Sequence, residues 1–191
     1  MRLGVLGGSF DPVHGGHLAL AEAARDLLRL DRVLLVVAAS QPLKPGGPSA
    51  PAEDRYAMVR LALRGRPRLE ASDLELRRPA PSYTVDTLRD LRASLPGTAE
   101  VLLILGADAL ADFPRWREVD AVRRLARIVG CPRPGSPAPA GVDEVLPVST
   151  PDVSSSEIRR RLAAGASVAG LLPEDVLVYA RERGLYGAGR G

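Results

Sequence analysis

The sequence predicts an α/β protein built on a doubly wound parallel sheet with helices on both faces. Short apolar runs alternate with amphipathic stretches along most of the chain, as expected where helices connect buried parallel strands. The length of 191 residues suits one domain with a full core. Its 46% hydrophobic and 26% charged residues are ordinary for a globular protein. We therefore expect a single domain over residues 1–186, with a small helical C-terminal part from about residue 154 and a disordered tail at 187–191.

Five short segments, most of them apolar runs, predict the strands of this sheet, and apolar residues at helical spacing predict helices between them. The predicted strands cover residues 3–6, 33–37, 101–105, 127–130 and 143–146. The predicted buried helix faces consist of Leu18, Ala21, Leu27 and Leu28; of Tyr56, Val59 and Leu63; and of Val85, Leu88 and Leu91. Two proline-rich stretches, 41–51 and 132–140, predict surface loops, since strands of the same sheet lie on either side.

Capping signals mark the helices of the last third of the chain. Ser154 and Glu157, three residues apart, have the spacing of a capping box that opens a helix. Pro173 starts a second helix, which two acidic residues favour at its positive end and Gly184 terminates.

The composition favours a globular protein that binds anions. The formal net charge is +3 and the pI is about 9.5. Aromatic residues make up only 4% and the arginines are scattered, which argues against a nucleic-acid surface. The longest apolar run, residues 33–39, is far shorter than the ~20 residues of a membrane helix. No secretion signal is visible and Cys131 is the single cysteine, so we expect a cytoplasmic protein without a membrane or nucleic-acid partner.

Three rare side chains fall in the first two strand-to-helix connections. Lys44 is the only lysine among 26 basic residues, and His14 and His17 are the only histidines. Both histidines lie between a glycine pair, Gly7 and Gly8, and a long helix. The glycines let the backbone approach a ligand, and the helix N-terminus attracts an anion to which both imidazoles can donate. The alternative is that one histidine caps the helix and the other is a hydrogen-bonded core residue. Because the chain has no other histidines, we favour the anion site.

Other nucleotide-binding motifs are missing from the sequence. It contains no Gly-x-x-x-x-Gly-Lys-Ser/Thr, and no Gly-x-Gly-x-x-Gly follows the first strand. This excludes a P-loop enzyme and leaves a dinucleotide-dependent dehydrogenase without its main support. A second helix start, at Ser154, Ser155 and Ser156, combines three hydroxyls with Arg159, which can bind a phosphate through two hydrogen bonds. Helix capping alone would account for one of these serines.

Residues 8–17, Gly-Ser-Phe-Asp-Pro-Val-His-Gly-Gly-His, resemble the signature of the nucleotidyltransferase superfamily marked by His-x-Gly-His, and residues 154–159 resemble its second motif. Within this superfamily the chain is similar to bacterial nicotinate-nucleotide adenylyltransferases. The segments that carry this similarity are 81–88, 106–110, Trp116, 133–135 and 172–186. The resemblance implies a Rossmann-like fold and catalytic roles for His14, His17 and Arg159. The ATP-binding residues it implies are Gly7, Gly8, Ser9, Phe10, His14, His17, Gly106, Asp108, Ser154, Ser155, Ser156, Ile158 and Arg159.

The resemblance also implies a site for a pyridine mononucleotide. Its residues would be Lys44, Ser82, Tyr83, Thr84, Trp116 and Arg133. From the residues alone, Ser82 predicts an ordinary helix N-cap, and Trp116 can stack on a pyridine ring or simply pack. Lys44 follows Leu43, where the family commonly has histidine. Asp108 can bind ribose hydroxyls, orient the magnesium nucleotide or cap a helix.

The activity implied by the resemblance is adenylyl transfer from ATP to nicotinic acid mononucleotide, a step of NAD biosynthesis. The expected mechanism is direct in-line attack without a covalent enzyme intermediate, with Mg²⁺ arriving on ATP rather than in a protein cage. The acceptor could instead be nicotinamide mononucleotide, phosphopantetheine or riboflavin phosphate, and a catalytically silent nucleotide-binding domain is a further alternative. The sequence leaves open whether the chain forms a homo-oligomer.

Overall fold

A computed structural model describes residues 1–40, 46–132, 141–148 and 150–188. Over these residues six strands form one sheet in the order β3-β2-β1-β4-β5-β6, and all of its pairings are parallel. The strands are β1 (Arg2–Gly8), β2 (Arg32–Val37), β3 (Leu69–Ser72), β4 (Glu100–Gly106), β5 (Arg127–Cys131) and β6 (Glu144–Val145). The parallel sheet expected from the sequence is confirmed.

Helices cover both faces of the sheet. They are α1 (Gly15–Leu27), α2 (Ala52–Ala62), α3 (Thr84–Ser94), α4 (Ala107–Asp112), α5 (Val119–Leu125), α6 (Ser155–Ala163) and α7 (Glu174–Glu182). One core cluster joins the sheet to α1, α2, α6 and α7, and a second joins its other face to α3 and α5. This doubly wound arrangement agrees with the predicted fold class.

The central strand β4 explains why the sequence contains continuous apolar runs. Leu102 and Ile104 belong to one core cluster, whereas Val101, Leu103 and Leu105 belong to the other. Successive side chains of a strand point to opposite faces, so a strand covered on both faces must be apolar throughout. The central strands are therefore short apolar runs rather than alternating patterns.

The order of the strands places a crevice at the carboxyl ends of β1 and β4. The first strand pairs with β2 on one side and with β4 on the other, so the chain winds outward in opposite directions from this point. Ligands of open parallel sheets bind at such a reversal of strand order. Gly8 ends β1 here, and Gly106 ends β4.

Three expectations about these elements were wrong. The edge strand β3 was not predicted, because its sequence Leu-Glu-Ala-Ser has only one buried apolar residue, Leu69. Leu27 is 60% exposed at the end of α1, although helical spacing placed it on the buried face. The tail is ordered as far as it is described: Gly187 closes a 3₁₀ turn and Ala188 is buried in the core, while residues 189–191 lie outside the described residues.

The two C-terminal helices begin as their capping signals predict. Ser154 is the N-cap of α6, and its hydroxyl accepts a hydrogen bond from the Glu157 amide at 3.2 Å. The helix α7 follows Pro173 and ends before Gly184, which has the left-handed backbone (φ 61°) that favours glycine. Within the described ranges, none of the helices is both long and apolar enough to span a membrane.

Candidate active site

The turn between β1 and α1 is held together by close ring packing. A Cβ atom on Gly8 would lie 3.0–3.2 Å from the Phe10 ring, and one on Gly16 would lie 3.2 Å from the His14 ring. Phe10 itself has a left-handed backbone (φ 47°) and is only 1% exposed. Its ring meets the His17 ring edge-to-face at 5.0 Å. The Phe10 ring therefore packs on the core side of this turn, so only the Phe10 backbone is available to a nucleotide.

The two histidines lie against each other at the N-terminus of α1. Their rings stack at 3.7 Å with an interplanar angle of 24°. His17 Nδ1 accepts a hydrogen bond from the His14 amide at 3.3 Å, so the proton of a neutral His17 ring is on Nε2. His14 is the N-cap of α1 and His17, three residues on, completes a capping box, so the capping role that we weighed for one histidine is shared by both. Capping engages His17 Nδ1, and the Nε2 of a neutral ring carries an N–H of the kind that a phosphate can accept.

His14 is the N-cap residue of α1 and is 6% exposed. Its buried Nδ1 makes no hydrogen bond of ordinary geometry with the described residues. Burial lowers the pKa of His14 to about 4, since the charged imidazolium would lose its hydration. The ring is therefore neutral near pH 7, and a neutral imidazole can donate one N–H to a phosphate.

The second motif is bonded directly to the backbone of the first. Ser155 Oγ donates to the Pro12 carbonyl at 2.9 Å, and Arg159 Nη1 donates to the Asp11 carbonyl at 2.7 Å. Ser156 Oγ accepts from Arg159 Nη2 at 3.4 Å. The N-terminus of α6 therefore lies beside the turn that carries both histidines. The two motifs, some 140 residues apart in the chain, form one site.

Ile158 is the member of the second motif that does not reach this site with its side chain. It is fully buried and belongs to the core cluster below α6. The side chain is buried because an apolar residue one turn into α6 faces the sheet, so the predicted role of Ile158 in ATP binding would fall to its backbone. Its backbone alone can take part.

Asp11 was not among the predicted site residues, yet it links three parts of the chain. Its carboxylate, in a residue that is 3% exposed, accepts from the Ser49 amide at 2.7 Å and the Ala50 amide at 3.1 Å. It also accepts from the Tyr186 hydroxyl at 2.7 Å and lies 3.6 Å from Arg159 Nη1. Burial and the Asp11 charge raise the pKa of Tyr186, which keeps that hydroxyl protonated as a donor.

The predicted mononucleotide segment lies at the start of α3. Tyr83, not Ser82, is the N-cap of this helix, so the predicted capping role of Ser82 was wrong. The Ser82 hydroxyl is used elsewhere: it accepts from the Ala39 amide at 3.0 Å, at the end of β2. Thr84 is the first residue of the helix. The segment is thus attached to the carboxyl end of the sheet.

Aromatic side chains flank this segment. The Arg117 guanidinium lies over the Tyr83 ring, 4.7 Å from its centre. Trp116 is half-buried, packs on the second core cluster and meets Phe113 edge-to-face at 5.4 Å. The packing role weighed for Trp116 is therefore present, and its exposed part remains available for stacking. Lys44 and Arg133 lie outside the described residues.

A buried glutamate, Glu75, is hydrogen-bonded to α3. Glu75 is 7% exposed and accepts from Thr87 Oγ1 at 2.6 Å, while Thr87 accepts from Arg78 Nη2 at 2.7 Å. Burial raises the pKa of Glu75, and hydrogen bonds from Thr87 and Ser82 oppose that rise. These hydrogen bonds fix the first turns of α3 and hence the segment that precedes the helix.

The carboxyl end of β4 completes the crevice. Gly106 is the N-cap of α4, and Asp108 lies in the first turn of this helix. Since Gly106 holds the N-cap position, the capping alternative for Asp108 was wrong. The carboxylate stands where the strand order places ligands, on the same edge as the histidine turn.

Comparison with known proteins decides the family. Residues 5–161 match the model of the Cytidylyltransferase-like family. A Thermus thermophilus protein named "Probable nicotinate-nucleotide adenylyltransferase" is 50% identical over 188 residues, which cover 97% of this chain and 100% of that protein. A Roseiflexus castenholzii protein of the same name is 46% identical, with 97% and 98% covered. The chain belongs to the nicotinate-nucleotide adenylyltransferases.

The fold of this adenylyltransferase agrees with a solved structure of low sequence identity. A nicotinic acid mononucleotide adenylyltransferase of Plasmodium falciparum, complexed with NaAD, superposes with a TM-score of 0.79. The two chains are 17% identical, and 97% of each is covered. The doubly wound architecture is therefore shared at low sequence identity.

Arg55 is a further residue of this adenylyltransferase site that sequence reasoning missed. It belongs to α2, is 1% exposed, and donates to the carbonyls of residues 9, 38, 39 and 50. Burial lowers its pKa, and the Asp11 charge opposes that shift. Arg55 stands among Glu53, Asp54 and Tyr56, a pattern typical of a solvated helix face, so no local signal marks it as buried.

Proposed function

We propose that the enzyme transfers the adenylyl group of ATP to nicotinic acid mononucleotide, giving nicotinic acid adenine dinucleotide and pyrophosphate. The observation that carries this proposal is the direct bonding of the second motif to the first. Ser155 and Arg159 of α6 donate to the carbonyls of Pro12 and Asp11, next to the histidine pair. One point there is surrounded by two helix N-termini, neutral imidazole donors and a guanidinium. This combination suits a polyphosphate.

The transfer proceeds by in-line displacement at the α-phosphorus of ATP. A phosphate oxygen of the mononucleotide forms the new P–O bond while the bond to the β-phosphate breaks, so pyrophosphate leaves with the electron pair. The mononucleotide phosphate is ionised near neutral pH, and no general base is needed. The rate then depends on placement of the reactants and on stabilisation of charge on the leaving oxygens.

Three side chains of the site supply this stabilisation. His17 donates from Nε2, the nitrogen that carries the proton while Nδ1 accepts the His14 amide. His14 is neutral because of its burial, and acts as a second uncharged donor. Arg159 adds positive charge; its contact with the Asp11 carbonyl orients the guanidinium toward the same turn. We assign the ATP phosphates to this group.

The mononucleotide occupies the side of the crevice formed by the start of α3. The amides of the first turn of α3 and the Thr84 hydroxyl suit the nicotinate carboxylate, and the exposed part of Trp116 suits the pyridine ring. We assign the mononucleotide phosphate to Lys44 and Arg133. Mg²⁺ enters with ATP as part of the substrate, and Asp108 orients it or the ribose. A reducing cytoplasm, with its ATP pool, is the proposed location.

Competition between acceptors tests this function. Purified protein receives ATP with nicotinic acid mononucleotide, nicotinamide mononucleotide, phosphopantetheine or riboflavin phosphate, and pyrophosphate release and the adenylylated product are quantified. We expect the highest kcat/KM with nicotinic acid mononucleotide. A higher value with another acceptor would assign that acceptor instead, and tight ATP binding without pyrophosphate release would make the chain a non-catalytic nucleotide-binding protein.

A further inference from the structure

The guanidinium of Arg55 connects three separate segments from inside the core. Nη1 donates to the carbonyls of Ser9 at 2.8 Å and Ala38 at 2.6 Å. Nη2 donates to Ala39 at 3.1 Å, and Nε donates to Ala50 at 3.2 Å. These acceptors follow β1, follow β2 and precede α2. A planar group with five donors can satisfy four carbonyls at once, which no other side chain can do.

One arm of this network leads to the mononucleotide segment. The peptide group is planar and trans, so an amide N–H points opposite to the carbonyl of the same peptide. With its Ala38 carbonyl on Arg55, this peptide directs the Ala39 amide away from the core, where it donates to Ser82 Oγ at 3.0 Å. The Ser82 amide in turn donates to the Ser40 carbonyl at 3.0 Å. Arg55 thereby sets the position of the residue that precedes Tyr83.

The other arm leads to the ATP-binding turn. The Ser9 carbonyl on Arg55 fixes the plane of the peptide before Phe10. Phe10 has the left-handed backbone that a side chain disfavours, so the surrounding structure must hold it there. The Phe10 ring then packs on His17 and beneath Gly8. Arg55 thus acts on the histidine turn through the backbone.

We propose that Arg55 is a positioning residue that fixes the ATP-binding turn and the mononucleotide segment at the separation that in-line transfer requires. The inference rests on the proposed function, because it concerns the two substrates of that reaction. Arg55 is 1% exposed and its guanidinium is taken up by backbone carbonyls, so we expect it to act on the substrates only through the backbone. The ATP-binding turn and the mononucleotide segment can each bind their own ligand alone, whereas the transfer step needs both ligands at the correct separation. Disturbing Arg55 therefore lowers kcat more than it weakens binding.

The substitution Arg55→Lys tests this role. Lysine keeps the charge, but its single nitrogen cannot span four carbonyls in three segments. Because a misplacement of about 1 Å lowers a transfer rate by roughly 10²-fold, we expect kcat to fall by about 30- to 100-fold. The Kd values of nicotinic acid mononucleotide alone and of a non-hydrolysable ATP analogue alone, from calorimetry, should each change by less than about threefold. Melting curves from circular dichroism identify a temperature at which the variant is folded, and the assays are made at that temperature.

Tyr179→Phe is the matched control for lost stability. Its hydroxyl donates to Asp54 Oδ1 at 2.8 Å, next to Arg55 on α2, but does not reach the loops of the site. We expect a lower melting temperature with kcat within about twofold of the wild type. If Arg55→Lys keeps kcat within about threefold, or if both Kd values rise in parallel with the loss of kcat, the inference is overturned.

Two further experiments distinguish the remaining explanations. If Arg55→Lys does not fold, Ser82→Ala breaks the same chain at its far end by removing the acceptor of the Ala39 amide. We expect this variant to lose kcat with the Kd of the ATP analogue unchanged; an unchanged kcat overturns the inference. The wild-type enzyme is assayed in parallel, and if it forms no dinucleotide, it is the proposed function that fails.

Discussion

The buried His14 makes the stability of the enzyme depend on pH in a way that can be worked out from its pKa. An unfolded histidine has a pKa near 6.5, whereas burial lowers the pKa of folded His14 to about 4. Between these values the unfolded chain binds a proton that the folded protein does not. The contribution of His14 to stability is therefore intact above pH 6.5 and is lost as the pH falls toward 4.

The size of this loss follows from the same two pKa values. At pH 5 the difference in proton binding lowers the free energy of unfolding by about 2 kcal/mol, and near pH 4 by about 3 kcal/mol. His14→Gln removes the titrating group but keeps a polar side chain at the N-cap. The pH-dependent loss should therefore be smaller in the variant than in the wild type by these amounts.

Urea unfolding at pH 7.5, 6, 5 and 4.5, followed by circular dichroism, measures both proteins under matched conditions. Subtracting the two curves cancels the titrating groups that are remote from His14, including Glu75, whose raised pKa acts in the opposite direction. A difference that stays within about 0.5 kcal/mol from pH 7.5 to 4.5 would refute the buried, neutral His14 and the phosphate-donor role derived from it.

Three other substitutions test separate parts of the site. His17→Ala should lower kcat by about 10²-fold, the usual effect of losing a preorganised donor, and stability by about 1 kcal/mol from the lost cap; unchanged turnover would remove His17 from the mechanism. Tyr186→Phe deletes the 2.7 Å hydrogen bond to Asp11 and should lower the free energy of unfolding by about 1.5–3 kcal/mol in urea titrations; a change below about 0.5 kcal/mol would contradict the role of Asp11 in linking the C-terminal turn to the site. Lys44→Arg should raise the KM for the mononucleotide at least about threefold, because the compact ammonium group is replaced by a broader, planar guanidinium. An unchanged KM would mean that the lone lysine has no special role.

Local patterns predicted the central part of the fold. Strands buried on both faces must be apolar throughout, so β1, β2, β4 and β5 are visible as apolar runs. The edge strand β3 lacks this signal, because a peripheral strand can be polar and short. Leu27 keeps the helical spacing of its neighbours, but Leu28, one turn after the buried Ala24, takes the buried position at the end of α1 and leaves Leu27 exposed.

The candidate site was predictable where a residue type and its local position together suggest chemistry. His14, His17 and the serines of α6 stand at helix starts, which the sequence marks. Asp11 and Arg55 are different, because their partners are backbone groups from remote segments. A backbone amide or carbonyl carries no residue-specific signal, so only the fold reveals these contacts. Ser82 illustrates the same point: it looks like a cap, but the nearby end of β2 takes its hydroxyl.

Following the α-phosphorus of ATP tests the central claim most directly. The enzyme is incubated with nicotinic acid mononucleotide and ATP labelled at the α-phosphate, and the label is traced in dinucleotide, AMP and protein. Direct transfer within one composite site predicts that all consumed label enters nicotinic acid adenine dinucleotide, with one pyrophosphate released per molecule and none of the label bound to protein. Label that appears in AMP or on the protein, with no labelled dinucleotide, would contradict the account.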